Sequence, residues 1–339
     1  MGNLASWNEH WQRVTRTGRQ ESGLALALKP VRMRVMHPRL TRRRFLQSGA
    51  ALALATAVHS PAAAATPGHK RDLKKALMLN TFPGRDLPVM QQFEMLKQAG
   101  FDGVEPRSHL NQDDVLRARD ATGLGIPSVT CGQHSRLLAQ PAPSQHRAGI
   151  EGIQQALRDA KRYGASSILV VPGIVNETIS YLDNYQRTQS GIRECIPLAE
   201  ELGVTMAIEN VWNNFLLSPV EAARYVDEFK SPAVGMHFDI GNVMYLGWPE
   251  QWIRVLGRRI AKVHIKEFSR KKMNESGLRR GFDVEYLEGD NNWPAIMKAL
   301  DEVGYHGWGI AELAYRPANV EPAARLKTVA EKLDAIFAS

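Results

Sequence analysis

Short apolar runs alternate with longer amphipathic stretches through most of this chain, at intervals of about 25 to 45 residues. The runs are bounded by polar residues, Gly or Pro, which is typical of buried strands. Eight strands are predicted in this way, over residues 76–80, 103–105, 127–130, 167–171, 204–209, 234–239, 261–265 and 308–312.

The stretches between the runs have the period of amphipathic helices. The clearest predicted helices cover residues 89–99, 147–163, 182–202 and 293–303. Ser218 followed by Pro219 predicts a further helix start, because a hydroxyl cap and a proline in the first turn both favour one.

Eight strand–helix units in one chain predict an α/β protein with a (β/α)₈ barrel, whose reactive face lies at the carboxyl ends of the strands. A doubly wound open sheet is the alternative. No glycine-rich phosphate-binding motif follows the first strand, so the nucleotide-binding form of that sheet has no support.

The first part of the chain predicts an export leader. Arg42, Arg43 and Arg44 precede a weakly apolar segment that ends in Ala62–Ala65, a pattern that resembles a twin-arginine signal peptide. An uncleaved membrane anchor is the alternative, but the apolar segment is short and rich in alanine. We expect residues 1–65 to form the leader, residues 66–339 to form one domain, and the mature protein to be periplasmic or exported without stable membrane insertion.

The net charge of +8 belongs to that leader. Residues 1–65 hold ten basic and two acidic residues, and the remainder holds 33 of each. A neutral mature domain gives no support for a nucleic-acid partner. Cys131 and Cys195 are the only cysteines, and their positions on different predicted elements favour free thiols over a disulfide.

Four polar residues in the second half of the chain stand at the ends of predicted strands: Glu209, Asp239, His264 and Glu312. If these strands are parallel and consecutive, their carboxyl ends meet on one face of the barrel. Three carboxylates and one imidazole suit a hard divalent cation, of which Mn²⁺ is the first choice and Co²⁺, Mg²⁺ or Zn²⁺ are alternatives.

The motifs around these residues resemble the xylose isomerase-like barrels, and among them the sugar isomerases and epimerases related to D-tagatose 3-epimerase. The resemblance spans residues 74–335 and is carried by Ile208-Glu209-Asn210, Phe238-Asp239-Ile240-Gly241-Asn242, Val263-His264-Ile265-Lys266-Glu267 and the segment 304–312. It implies that Glu209, Asp239, His264 and Glu312 are the metal ligands in the family's order. It also implies a small-molecule sugar substrate and a homo-oligomer.

Two departures affect the substrate pocket rather than the metal site. The epimerases place a substrate-binding histidine three residues after the ligand aspartate, where this chain has Asn242. They also hold a glutamate six residues after the first ligand, where this chain has Phe215.

Proton abstraction beside a carbonyl explains why two glutamates would bind one metal. A proton beside a carbonyl leaves only if the developing enediolate is stabilised, which a divalent cation can do. One carboxylate then removes the proton and another can return one to the opposite face. We interpret Glu209 and Glu312 as this catalytic pair as well as ligands.

Other positions are candidates for substrate contact. The resemblance implies this role for Arg270, and we add Lys266, His134, Glu105, Trp212 and Asn242 as residues expected at or near the pocket. His237 shares a strand with Asp239 but lies deeper, so a hydrogen-bonded core histidine is the expectation there. The long connection over 266–291 is either a substrate lid or a solvated loop.

The sequence therefore predicts an isomerase that acts by proton abstraction on an unphosphorylated sugar or keto-sugar. A lyase or hydrolase of 3-keto-glycosides on the same metal site is the main alternative. A non-catalytic sugar-binding protein and a relative of the endonuclease IV-like DNA-repair nucleases are weaker alternatives, the latter because the mature charge is neutral.

Overall fold

The computed structural model describes residues 71–315 and 317–339, in which eight parallel strands form a nearly closed barrel. The strands are β1 (Leu73–Met78), β2 (Gly103–Glu105), β3 (Ser128–Thr130), β4 (Ser167–Val170), β5 (Thr205–Glu209), β6 (Val234–Asp239), β7 (Ile260–Ile265) and β8 (Gly307–Ala311).

Helices follow each strand. They are α1 (Val89–Gln98), α2 (Gln112–Thr122), α3 (Gly132–Ser135), α4 (Pro143–Tyr163), α5 (Tyr181–Leu202), α6 (Pro219–Asp227), α7 (Ile240–Val243), α8 (Pro249–Leu256), α9 (Arg270–Ser276), α10 (Trp293–Glu302) and α11 (Pro322–Ala338). Four 3₁₀ turns complete the connections, over Leu79–Thr81, Arg136–Ala139, Gly257–Arg259 and Leu278–Phe282.

Neighbouring strands pair in the order β2-β1-β8-β7-β6-β5-β4-β3. Isolated β-bridges, Gly103 with Gly125 and Arg107 with Thr130, connect the two ends of this series. The Val104 amide donates to the Gly125 carbonyl at 2.9 Å, and the Thr130 amide donates to the Pro106 carbonyl at 2.8 Å. The Trp308 ring fills the space beside Gly103 and Gly125, where an added Cβ would lie 2.5 and 2.8 Å from it. Glycine is therefore required on both sides of this seam.

The strands are apolar because both of their faces are buried, as in other parallel sheets covered by helices. Every residue of β4 and of β6 is buried, and the inward and outward side chains belong to one continuous core with the helices. Buried polar groups on such strands need a specific partner, so Glu209, His237, Asp239 and His264 stand out.

Local sequence sets the ends of several helices. The Ser218 hydroxyl accepts from the Glu221 amide at 3.2 Å, as the Ser-Pro pair predicts. Asn111 caps α2 by accepting from the amides of Asp113 and Asp114. Gly203 ends α5 in the left-handed conformation, with φ of 65°, which glycine adopts without a Cβ clash.

The barrel predicted from the sequence is confirmed, and the open sheet is excluded by the contacts between β2 and β3. Both cysteines are buried free thiols, Cys131 directly after β3 and Cys195 in α5. The predicted leader lies outside the described residues. Within residues 71–315 and 317–339, every helix is too short or too polar to cross a membrane.

Candidate metal centre and active site

The four residues singled out in the sequence lie at the carboxyl ends of four consecutive strands. Glu209 and Asp239 are the last residues of β5 and β6, His264 is the penultimate residue of β7, and Glu312 directly follows β8. Asp239 and His264 are register partners across the β6–β7 pair. Parallel strand order thus brings together residues that are distant in the sequence.

One ligand atom from each of these residues lies within 4.8 Å of all the others. The Nδ1 atom of His264 is 3.3 Å from Glu209 Oε1, 3.2 Å from Glu312 Oε2 and 3.9 Å from Asp239 Oδ2. The imidazole and Asp239 are fully buried, and the Glu312 side chain retains 18% of its exposure. We name these four residues the ligand cluster.

The donors of the ligand cluster fit a divalent cation. Three buried carboxylates repel one another unless positive charge lies between them. Among the described residues, neither His264 Nδ1 nor Glu312 Oε2 has a hydrogen-bond partner, although both atoms are buried. Oxygen donors with one imidazole are the set that Mn²⁺ and similar ions take.

Glu105 lies behind the imidazole rather than in the pocket. Its Oε2 is 2.9 Å from His264 Nε2, and the carboxylate is fully buried. When Nε2–H donates to Glu105, the Nδ1 lone pair faces the three carboxylates, which is the arrangement of a metal-bound histidine. Burial opposes protonation, but Glu105, Glu209 and Glu312 raise the pKa of His264 well above its usual value. A cation and a proton therefore compete for Nδ1.

Replacing Glu105 by glutamine should weaken metal binding without removing a ligand. The variant loses the carboxylate that fixes the imidazole, so we expect the affinity for Mn²⁺ to fall by about 10- to 100-fold. Calorimetric titration of Mn²⁺ measures this change. Glu288→Gln, an exposed glutamate paired with Lys332, is the matched control, and an equal affinity in both variants would contradict the role of Glu105.

His237 is buried beside this pair, as the sequence predicts, but it makes no hydrogen bond within the described part of the chain. Its Nε2 is 3.9 Å from Glu105 Oε1, and its ring meets the His264 ring edge-on at 4.1 Å between centroids. Burial, together with the charges of His264 and Lys262, lowers the pKa of His237 well below its usual value. A neutral His237 therefore packs against Glu105 and His264.

Lys266 supplies a positive charge at the ligand cluster. Its Nζ lies 2.7 Å from Glu312 Oε1, 3.3 Å from Asp239 Oδ2 and 3.1 Å from Asn242 Oδ1. Burial raises the pKa of Asp239 to about 8. Burial would also raise the pKa of Glu312, but Lys266 and His264 together outweigh burial and hold this pKa well below the usual value. Glu312 is also the closest of the three partners of Lys266.

A network of amides fixes the ends of β5 and β6. The Asn210 side chain donates to the Asp239 carbonyl and accepts from the Asp239 amide, both at 2.8 Å. Asn242 donates to the Asn210 carbonyl at 3.0 Å, and its own amide donates to Asp239 Oδ1 at 2.7 Å. Sequence reasoning gave Asn210 no role, although its position directly after Glu209 was a signal.

Two other residues predicted near the pocket are held by backbone carbonyls. Trp212 donates from Nε1 to the Asn242 carbonyl at 2.8 Å and packs against Phe268 and Phe282. Arg270 donates to the carbonyls of Met244 and Gly247, at 3.0 and 2.6 Å. The structure therefore joins Trp212 to Asn242, whereas it holds Arg270 against the segment after α7 and does not bring it to the ligand cluster.

A cavity of about 600 Å³ opens above the ligand cluster. Glu209, Asn242 and Glu312 line it, and His134 lies on its wall, stacked on His109 with 3.8 Å between ring centroids. Burial and the neighbouring His109 lower the pKa of His134. The cavity is of the size that small-molecule sites have.

The long connection after β7 is anchored at its base by Glu267. The Glu267 carboxylate accepts from the Leu287 amide and from Trp293 Nε1, both at 2.8 Å. Tyr286 from the same connection contacts the carbonyls of Ile265 and Glu312 with its hydroxyl, at 2.8 and 3.1 Å. The connection is therefore attached to the strand ends that carry the ligand cluster.

Glu267→Ala should loosen this connection. The substitution leaves the buried Trp293 indole and the part-buried Leu287 amide unpaired, which costs about 1–3 kcal/mol. The Asn291 amide also donates to Glu267, at 3.4 Å. We expect faster hydrogen exchange at the Leu287 and Asn291 amides and a lower melting temperature. Unchanged exchange at these amides, with normal exchange in the barrel strands, would show that the connection is held by its other contacts.

Fold and site together define a (β/α)₈ barrel with a candidate metal centre at the carboxyl ends of its strands. The chain belongs to the xylose isomerase-like TIM barrel family, whose model matches residues 93–336.

Sequence relatives include two enzymes of known activity. The chain is 25% identical over 261 residues to inosose dehydratase of Clostridium perfringens, and 24% identical over 253 residues to L-ribulose-5-phosphate 3-epimerase of Escherichia coli. Each match covers 70% of this chain and 86% of the relative. An uncharacterised protein of Methanocaldococcus jannaschii is 28% identical over 173 residues. This match covers 47% of the present chain and about half (54%) of the length of that relative.

Solved structures share the fold. The 3-keto-D-glucoside 4-epimerase of E. coli has a TM-score of 0.64 and 17% identity, covering 78% of this chain and 98% of that one. A D-tagatose 3-epimerase-like protein has a TM-score of 0.63 and 21% identity, with the same coverage. At these sequence identities, the similarity shows that the barrel fold is shared.

Proposed function

We propose that this protein is a divalent-metal-dependent sugar isomerase or epimerase that acts by proton abstraction beside a carbonyl. The protein is an enzyme, and its relatives include sugar epimerases, which are isomerases. The observation that carries the proposal is the convergence of three carboxylates and His264 Nδ1 within 4.8 Å at the floor of the cavity.

The ligand cluster would hold the cation, with Mn²⁺ as the proposed ion and Co²⁺, Mg²⁺ or Zn²⁺ as alternatives. When bound, such an ion stabilises negative charge that develops on a carbonyl oxygen. Glu209 and Glu312 reach the cavity from β5 and β8 and are the proposed groups that remove a proton and return one. The configuration of the substrate decides which of the two is the base.

Other residues around the cavity have supporting roles in this proposal. Lys266 would donate to a substrate oxygen and keep Glu312 ionised, while Asn242 and His134 would contact hydroxyls from the cavity wall. Glu105 would position the His264 imidazole, to which it is hydrogen-bonded. Trp212 would position Asn242, because it donates a hydrogen bond to the Asn242 carbonyl.

A dehydratase or lyase is the second candidate, and the match to inosose dehydratase favours it. Both reactions start with the same proton abstraction, but the lyase expels a leaving group instead of taking back a proton. A 3-keto-glycoside would lose its aglycone in this reaction, and an inosose-like substrate would lose water.

We also propose export through the twin-arginine route, on the basis of Arg42, Arg43 and Arg44 ahead of the alanine-rich segment. Phosphorylated sugars are chiefly cytoplasmic, so export favours an unphosphorylated sugar or keto-sugar. Cell fractionation of the full-length chain, with a variant in which Arg42, Arg43 and Arg44 are lysine, tests the location. A cytoplasmic wild-type protein would contradict it.

Solvent deuterium incorporation tests the function. The Mn²⁺-loaded enzyme is incubated in D₂O with a panel of free ketoses and 3-keto-glycosides, and the products are analysed by mass spectrometry and NMR. An epimer labelled at the inverted carbon supports the epimerase, and a released aglycone or a dehydrated product supports the lyase. No exchange on any member by the loaded enzyme would contradict both.

A further inference from the structure

The lining of the cavity above the ligand cluster includes a second set of charged residues. Arg85, Arg107 and Arg136 line this cavity together with Glu209 and Glu312. The rest of the lining mixes polar side chains, such as Asn80, Gln133 and His134, with leucines and valines of β4 and neighbouring loops. A ligand in this cavity can therefore meet both carboxylates and guanidinium groups.

The three arginines come from the half of the barrel that the ligand cluster does not use. Arg85 lies in the connection after β1, Arg107 follows β2 by two residues, and Arg136 begins the 3₁₀ turn after α3. The ligand cluster comes from β5 to β8. Because all strands are parallel, the connections after β1 to β3 lie on the same face of the barrel as the ligand cluster.

None of these arginines has an internal counter-charge. Among residues 71–315 and 317–339, no carboxylate oxygen lies within 4.0 Å of Arg85, Arg107 or Arg136, although Asp86 is adjacent to Arg85 in the chain. Their side chains also donate no hydrogen bond to any described residue. By contrast, Arg259 and Arg325 pair with Asp227 and Glu285.

The chemistry of the guanidinium group indicates what these arginines would bind. Arginine presents a planar set of N–H donors that matches a carboxylate or a phosphate in a bidentate way. A neutral sugar needs hydroxyl partners, which Asn80, Ser108 and Thr130 already offer in the same lining. Arg85, Arg107 and Arg136 are exposed and have no carboxylate partner among the described residues, so they instead favour an oxyanion.

We propose that the substrate is an anionic sugar, with its carbonyl end at the ligand cluster and its carboxylate or phosphate at Arg85, Arg107 and Arg136. This inference rests on the proposed function for the carbonyl end of the substrate. It adds an anionic group at the other end of the substrate. Export would favour the carboxylate of a sugar acid, and the phosphate is the second form of the same chemistry.

Binding of three matched probes tests the proposal. D-Glucuronate, D-glucose 6-phosphate and D-glucose differ in the group at one end of the sugar, and calorimetric titration into the Mn²⁺-loaded enzyme compares them. We expect one or both anionic probes to bind at least about tenfold tighter than D-glucose. The stronger of the two identifies carboxylate or phosphate as the preferred group.

Variants then assign the preference to Arg85, Arg107 and Arg136, which we name the arginine wall. Arg107→Gln combined with Arg136→Gln should lower the affinity for the anionic probe by about 10- to 100-fold and leave D-glucose binding unchanged. Arg107→Lys keeps the charge but loses the bidentate geometry, so an intermediate loss is expected. Arg258→Gln, at the amino end of the barrel before β7, is the matched control.

Equal affinity for charged and neutral probes, or measurable binding of neither, would overturn the proposal. An equal loss for all probes in the double variant would also overturn it. The exchange experiment separates this outcome from a failure of the proposed function. Exchange on neutral sugars without an effect of the arginines would reject only the anionic substrate, whereas arginine-dependent anion binding without any exchange would reject only the isomerase.

Discussion

Replacing Glu312 by glutamine is expected to slow solvent exchange of the substrate proton by about 10²–10⁴-fold, the range that a positioned acid or base contributes. Glutamine has nearly the same shape but cannot take or return a proton. The change also weakens one proposed metal ligand, so exchange must be measured at saturating Mn²⁺ with the bound metal quantified. Lys266 then loses its closest carboxylate partner, which lies at 2.7 Å in the wild type.

Glu209→Gln provides the matched comparison, because Glu209 is the other glutamate of the ligand cluster that lines the cavity. If the two act on opposite faces of the sugar carbon, one variant should lose exchange and the other should exchange without inverting the centre. Full epimerisation by both metal-loaded variants would contradict the assignment. Loss of activity that follows metal content alone would leave both residues as ligands without a proton-transfer role.

The strands could be predicted from the sequence because burial on both faces makes each one a short apolar run. β2 and β6 have the predicted bounds, and the others differ by a few residues at their ends. The largest shift is at β1, where Leu73–Met78 replaces the predicted 76–80, since Lys74 and Lys75 interrupt the apolar pattern. Lys75 pairs with Asp334 of α11, and Lys74 lies over the Trp308 ring.

The ligand cluster could be predicted because it needs only parallel order and strand ends. Contacts across the barrel could not be predicted in this way. Glu105 and His264 are 159 residues apart, and their hydrogen bond depends on which side chains point into the barrel at the same depth. The path of a loop is equally hidden, so the carbonyls of Met244 and Gly247 that bind Arg270 have no sequence signal.

The arginine wall likewise could not be predicted from the sequence. Arg85, Arg107 and Arg136 are ordinary charged loop residues in the sequence, and 51 positions separate the first from the last. Only the fold places them in the lining of one cavity with Glu209 and Glu312. Candidate chemistry at strand ends can thus be predicted from the sequence, whereas the lining of a cavity requires the fold.

Lys266→Met should destabilise the metal-free enzyme much more than the metal-loaded one. Lys266 is 7% exposed and lies between the Glu312 and Asp239 carboxylates, so its removal leaves buried negative charges together without a counter-charge. Breaking a buried pair in this way costs about 3–5 kcal/mol. For a domain of this size the melting temperature should fall by roughly 6–20 °C.

A bound cation supplies positive charge to the same carboxylates, so the loss should be clearly smaller when Mn²⁺ is present at saturation. Thermal unfolding of both forms with and without a chelator measures the difference. Lys332→Met is the control, because its pair with the exposed Glu288 is worth at most about 1 kcal/mol. If Lys266→Met lost the same stability in both forms, the lysine would act through its stem and its contact with the Phe282 ring, 4.8 Å from Nζ, and not through the carboxylates. A loss confined to the metal-free form would instead mean that Lys266 and the cation share the task of neutralising the ligand cluster.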